Sequence, residues 1–204
     1  MTVDSSKKTT WFHGSPSKFD AWQVPPPQKD EFTAGHNALF FTSNLEFAMG
    51  VGKNVAEVSL TEKSIILDTK RDYQNCEKLR LRLANLKLPS LLQNTQHDYW
   101  HAGWITGDVL RMAATDDAMA ILNQKIQQGI ASKGWSKDFS EEYVFHNATR
   151  IFIDQICVEA ANIGFNAIAG NEVDRHTSPG RKVAQPWLAV MDKCAITQPT
   201  WLGT

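Results

Sequence analysis

The sequence predicts an α+β fold: a split sheet of short, mostly antiparallel strands drawn from both ends of the chain, with a helical insert between them. Apolar runs of four to seven residues, bounded by Gly, Asn, Ser or Asp, fill the chain up to Asp68 and return after Gly164; such runs read as strands. Between them apolar residues recur at three- and four-residue spacing, the period of an amphipathic helix. Strands at both ends with helices between are an α+β arrangement. The 204 residues, 42% hydrophobic and 21% charged, suffice for one core. A single domain over 1–204 is expected, with 1–10 as a flexible leader and 71–164 as the mostly helical insert.

The elements follow in order. TWFHGS, NALFFTS, NVAEVSL and SIILD are the first four strands. NLEFAMGVG, between the second and third, is a brief helix with Ser43 or Asn44 as N-cap and Gly50 or Gly52 as its stop. Pro25-Pro26-Pro27 is a stiff connector. CEKLRLRLANLKL and DDAMAILNQKIQQGIASKG read as helices, Asp116 and Asp117 capping the second. YVFHNATRIFIDQICVEAANIG is a third, stopping at Gly164. The strand FNAIAG follows, then the turn-prone stretch NEVDRHTSPGRK, then the strand QPWLAVMD and a short run CAIT.

Composition narrows the function classes. A net charge of -1 supplies no overall field to recruit DNA or an acidic membrane, although local contact with nucleic acid is not excluded. No run approaches the roughly 20 apolar residues of a membrane span, and the leader MTVDSSKKTT lacks the apolar segment of a secretory signal. Cys76, Cys157 and Cys194 are odd in number and widely spaced, so neither disulfides nor a zinc site is expected. A cytoplasmic setting is expected, or delivery into a host cytoplasm. His97, Asp98 and His101 have the spacing of a helical metal pair but no third ligand at usual spacing, so no metal is expected.

The order of the motifs WFHGSP, ALFFTSNLEFA, VAEVSL, SIILD and, late in the chain, GFNAIAGNEVDR and PWLAVMD resembles the ADP-ribosyltransferase family, in its His-Tyr-Glu branch. The likeness covers about 90 residues in two blocks. The early His-x-Ser-Pro, the Leu-Phe-Phe strand and the late acidic pair are also similar to phage anti-CRISPR members of that family. The resemblance implies NAD as substrate and no metal. His13 would bond a ribose hydroxyl, Gly14 would clamp the nicotinamide amide through its backbone, and Ser15 would support the turn. Phe40, aligned with the motif tyrosine, keeps a stacking ring and loses the hydroxyl. Phe41, next along the strand, points to the opposite side, so one ring faces the core while the other lines the pocket. Thr42 and Ser43 are small hydroxyl donors in place of the lost one.

The acid departs from the family pattern. Counting back five residues from Asp192 reaches Trp187, and no acid stands between Arg175 and Asp192. Glu172 is the expected catalytic acid, stabilising an oxocarbenium-like transition state, with Asp174 as the alternative. Arg175, His176, Arg181 and Lys182 form a basic cluster in the same stretch, read as ordinary surface or as a contact to phosphates.

The activity implied is transfer of ADP-ribose from NAD onto a macromolecular acceptor, a protein side chain foremost, with release of nicotinamide, as effectors and toxins of phage or bacteria do. Two alternatives stay open: NAD hydrolysis, and a non-catalytic module that kept the fold and binds NAD or a partner. Acceptor identity and oligomeric state are not encoded in these motifs.

Overall fold

The computed structural model describes residues 9–28, 35–84, 116–174 and 183–203. Strands β1 (Trp11–Ser15) and β2 (Leu39–Thr42) are followed by helix α1 (Leu45–Val51), strands β3 (Asn54–Val58) and β4 (Ile66–Asp68), and helix α2 (Tyr73–Ala84). Helices α3 (Asp116–Lys133) and α4 (Lys137–Asn162) precede β5 (Ala167–Asp174), β6 (Val183–Val190), a 3-10 turn (Lys193–Ala195) and β7 (Thr200–Trp201). The architecture is α+β, as the sequence predicts. One seven-stranded sheet runs β4-β5-β6-β2-β1-β3-β7, with β4 parallel to β5 and every other neighbour antiparallel.

Local chemistry sets the boundaries. Asn44 caps α1, its side chain accepting from Phe47 N at 3.2 Å, and Gly52 closes it by donating to Ala48 O at 3.3 Å. Ser136 caps α4 in the same way, accepting from Phe139 N. Gly164 ends the turn after α4 with φ of +100°, a conformation that only glycine adopts without strain. Asp116 and Asp117 lie in α3, and residues 85–115 before them lie outside the described residues.

Alternation along the strands separates two cores. Leu67, Ile168, Trp187 and Ala189 face helices α2, α3 and α4, meeting Leu79, Leu122, Phe152 and Ile156. Trp11, Leu39, Phe41, Leu188 and Val190 face the other way, against Trp22, Ala195 and Ile196. The helical insert thus roofs one face and irregular chain covers the other.

Several boundaries differ from the sequence reading: β6 runs two residues earlier at both ends than QPWLAVMD, α2 starts at Tyr73 ahead of CEKL, and β7 was not expected. The strand after Gly164 does not stop at Gly170: it continues to Asp174, matched residue by residue with β6 as far as Asp174↔Val183. A full antiparallel partner overrides the turn propensity of Asn171 and Asp174. Helix α4 starts at Lys137, ahead of the periodic stretch, because Ser136 supplies the cap. The run CAIT forms a 3-10 turn and one bridge, Leu60↔Ile196, instead of a strand.

Candidate functional site

The sheet is nearly interrupted between β1 and β2. All five residues of β1 pair with β3, from Trp11↔Val58 to Ser15↔Asn54, whereas β1 meets β2 only at Phe12↔Thr42. Had that register continued, His13 would stand opposite Phe41 and Gly14 opposite Phe40. Instead the strands part, and the His13 side chain crosses the opening. Its Nδ1 lies 2.8 Å from the carbonyl oxygen of Phe40.

That bond fixes the tautomer of the neutral ring. A carbonyl oxygen only accepts, so Nδ1 carries the proton. Burial pushes the His13 pKa below its ordinary value, the bond to Phe40 opposing the shift. The neutral ring therefore holds Nε2 as a bare acceptor, suited to a hydroxyl donor. His13 packs edge-on against Trp22 at 5.3 Å and lies 5.4 Å from Phe41, with Phe19 at 6.5 Å.

The remaining expected residues divide between the two faces of the sheet. Phe41 shares the His13 face and is buried. Phe40 points to the opposite face, half-buried against the helical core and 5.1 Å from His36. His13 thus reaches the backbone of Phe40 but not its ring. Gly14 is crowded by protein: a Cβ there would collide with Ala48 O and stand 2.9 Å from Gly52 N, so its lack of a side chain lets α1 settle on β1. Ser15 Oγ donates to Ser17 O at 2.8 Å and closes the turn after β1. Thr42 donates its hydroxyl proton to Pro186 O at 3.0 Å and accepts from Asn44 N, committing that hydroxyl to the fold. Ser43 is half-buried at the strand end.

Glu172 and Asp174 lie in β5, three strands across the sheet from β1. Phe12, Thr42, Trp187 and Gly170 form one row across four strands. From that row His13 is one residue in one direction and Glu172 two residues in the other. With neighbouring strands about 4.8 Å apart and a rise of about 3.3 Å per residue, their Cα positions are about 14 Å apart across the sheet and about 10 Å along it. Glu172 stands opposite Gln185, and Asp174 opposite Val183. Trp187, at the position where the family pattern places its acid, is buried, and its Nε1 has no hydrogen-bond partner among the described residues. Arg175, His176, Arg181 and Lys182 lie outside the described residues, as do His97, Asp98 and His101.

Sequence reading passed over Gln185, whose Oε1 accepts from Asn44 Nδ2 at 3.0 Å. Asn44 was legible as a helix cap, but its second bond, |i−j| of 141, has no local signal. Among the described residues, no group of three or more His, Cys, Asp or Glu side chains is placed to hold a metal ion. No helix among them is long and apolar enough to cross a membrane.

No family model and no curated protein matches the chain. Among solved structures, one titled "Crystal structure of an anti-CRISPR protein" aligns over 95% of this chain and 96% of its own, at 13% identity and a TM-score of 0.34. At that TM-score the alignment establishes neither a shared fold nor a shared activity.

Proposed function

We propose that the chain binds NAD in the opening between β1 and β2 and transfers ADP-ribose to a macromolecular acceptor, a protein side chain foremost. The observation that carries this reading is the neutral His13 spanning that opening, with Nδ1 committed to Phe40 and Nε2 left to accept from a ribose hydroxyl. The order of the motifs around WFHGSP and LFFTS supports it independently. In the reaction the bond between the ribose C1′ and the nicotinamide nitrogen breaks, and nicotinamide leaves with the electron pair. The acceptor nucleophile then bonds C1′ and gives up its proton. A carboxylate, from Glu172 or Asp174, stabilises the positive charge on the ribose as it develops. Water as acceptor would give NAD hydrolysis by the same bond changes.

A second reading is a non-catalytic module that kept the NAD-binding scaffold. Three observations favour it: the buried Trp187 at the acid position, the Ala48 carbonyl packed where Gly14 lacks a side chain, and the register that separates Glu172 from His13. Incubation with NAD, with and without a cell extract, separates the readings. Nicotinamide release that needs the extract supports transfer, and release in buffer alone supports hydrolysis. NAD binding by calorimetry without release supports the module. Absence of both binding and release overturns the NAD reading.

A further inference from the structure

A groove of about 500 Å³ lies between the Pro25–Pro26 connector and helix α4. Pro25, Pro26 and Ile151 give it flat apolar walls, and His36, Asp154 and Gln155 give it polar ones. Its volume is in the usual range for a small-molecule site, roughly 300 to 1,000 Å³.

The polar groups define what such a groove accepts. Asn37 clasps Asp154 twice, its backbone N donating to Oδ1 at 2.6 Å and its Nδ2 to Oδ2 at 3.0 Å. The clasp fixes the carboxylate in one orientation. Each carboxylate oxygen takes one of these bonds and keeps a second lone pair, so Asp154 still accepts from a ligand N–H. A fixed carboxylate on the wall repels phosphates and other anions. Burial, with Arg150 and His146 adding to it, pushes the His36 pKa down to about 4, so the imidazole is neutral near pH 7. Phe40 holds that ring edge-to-face at 5.1 Å, and its buried Nδ1 has no hydrogen-bond partner among the described residues. The groove therefore offers apolar walls and a neutral imidazole, with one fixed carboxylate acceptor.

We propose that this groove binds an uncharged planar heteroaromatic ring bearing an exocyclic amino group, of the nucleobase class, with Asp154 accepting from the amino group and the ring seated against Pro25, Pro26 and Ile151. The proposal concerns α4 and the lead-in to β2, and stands apart from the NAD reading of the β1–β2 opening.

The test uses the full chain, isotopically labelled, titrated with free adenosine at millimolar concentration while amide shifts are followed. Adenosine is expected to move the resonances of Ile151, Gln155 and Asn37. Purine riboside, which lacks the amino group, is expected to bind at least tenfold more weakly. Asp154→Asn is expected to remove that preference, and Ile151→Trp, which fills the groove and leaves the Asn37–Asp154 clasp intact, is expected to abolish the shifts. His13→Ala is expected to leave them unchanged. No shifts with adenosine in the native chain, equal binding of purine riboside, or persistence of the shifts in Ile151→Trp each overturn the proposal. Loss of adenosine binding in a folded His13→Ala variant assigns the nucleoside to the opening at His13 and overturns it too.

Discussion

The imidazole of His13 donates from Nδ1 to the carbonyl oxygen of Phe40, 2.8 Å away, where β1 and β2 share a single residue pair among the described residues. A side chain does there what a backbone ladder does elsewhere. The bond therefore has two consequences, one for stability and one for the proposed chemistry.

His13→Ala removes the donor and leaves the Phe40 carbonyl without it in a half-buried setting. A loss of about 1 to 2 kcal/mol is expected in urea unfolding. NAD-dependent nicotinamide release is expected to fall at least tenfold. Unchanged kinetics in the folded variant would remove His13 from the site.

Gly14→Ala tests the contact between α1 and β1. The added methyl group meets Ala48 O and Gly52 N, both backbone atoms that side-chain rotation cannot clear. Overpacking of this kind is expected to cost about 1 to 3 kcal/mol, read as a lower unfolding midpoint. A neutral effect would mean that the helix shifts freely on the strand.

Phe40 and Phe41 are expected to separate by face. Phe41 is buried in the smaller core, so Phe41→Ala is expected to cost about 3 to 5 kcal/mol. Phe40→Tyr is expected to stay within about 1.5 kcal/mol of the native chain. Phe40→Ala is expected to raise the KM for NAD if that ring stacks on nicotinamide. Calorimetric binding of NAD to Phe40→Ala with native affinity would leave the ring a purely structural role against the helical core.

Glu172→Gln and Asp174→Asn decide between the two acids. Loss of the carboxylate that faces the developing charge is expected to cut nicotinamide release by about two to three orders of magnitude while NAD still binds. Glu172→Gln is expected to show this and Asp174→Asn to retain activity. The reverse pattern moves the role to Asp174. Native rates in both would mean that neither acid stabilises the charge on the ribose.

Stability is expected to depend on pH through His36. Its folded pKa, about 4, lies below the ordinary 6.5, so the unfolded chain takes up the proton first as pH falls. The folded state is then favoured fully above about pH 6.5 and progressively less toward pH 4. His13 is shifted in the same direction and adds to the loss below its ordinary value. Urea midpoints measured from pH 7 to pH 4.5 are expected to fall, and to fall less steeply in His36→Phe. An identical slope in that variant would mean other groups set the dependence.

Elements whose signals are local were legible in the chain before any fold was known. The short apolar runs around Trp11, Phe40, Val55 and Leu67, bounded by turn residues, read as strands, and they are strands; Asn44 and Gly52 bound α1 because cap chemistry acts within a few residues. The separation into a sheet from both chain ends and helices from the middle followed from run length and turn residues at the ends and from helical period in the middle. His13 and Ser15 stood out for the same local reason, a Gly-Ser-Pro turn beside a strand.

Tertiary structure decided what depends on pairing between distant segments. Only the register of β5 with β6 carried the strand past Gly170 and set Glu172 away from His13, because the position of a residue in a sheet is fixed by its partner strand and not by its neighbours in the chain. Only the third dimension assigned Phe40 to the helical core and Phe41 to the aromatic side, closed Gly14 under α1, and joined Asn44 to Gln185. The groove at His36 and Asp154 depends on Asn37 meeting α4 across more than a hundred residues of chain, |i−j| of 117. Contacts of that span leave no periodic trace in the sequence, since packing between distant segments and not local spacing brings the residues together.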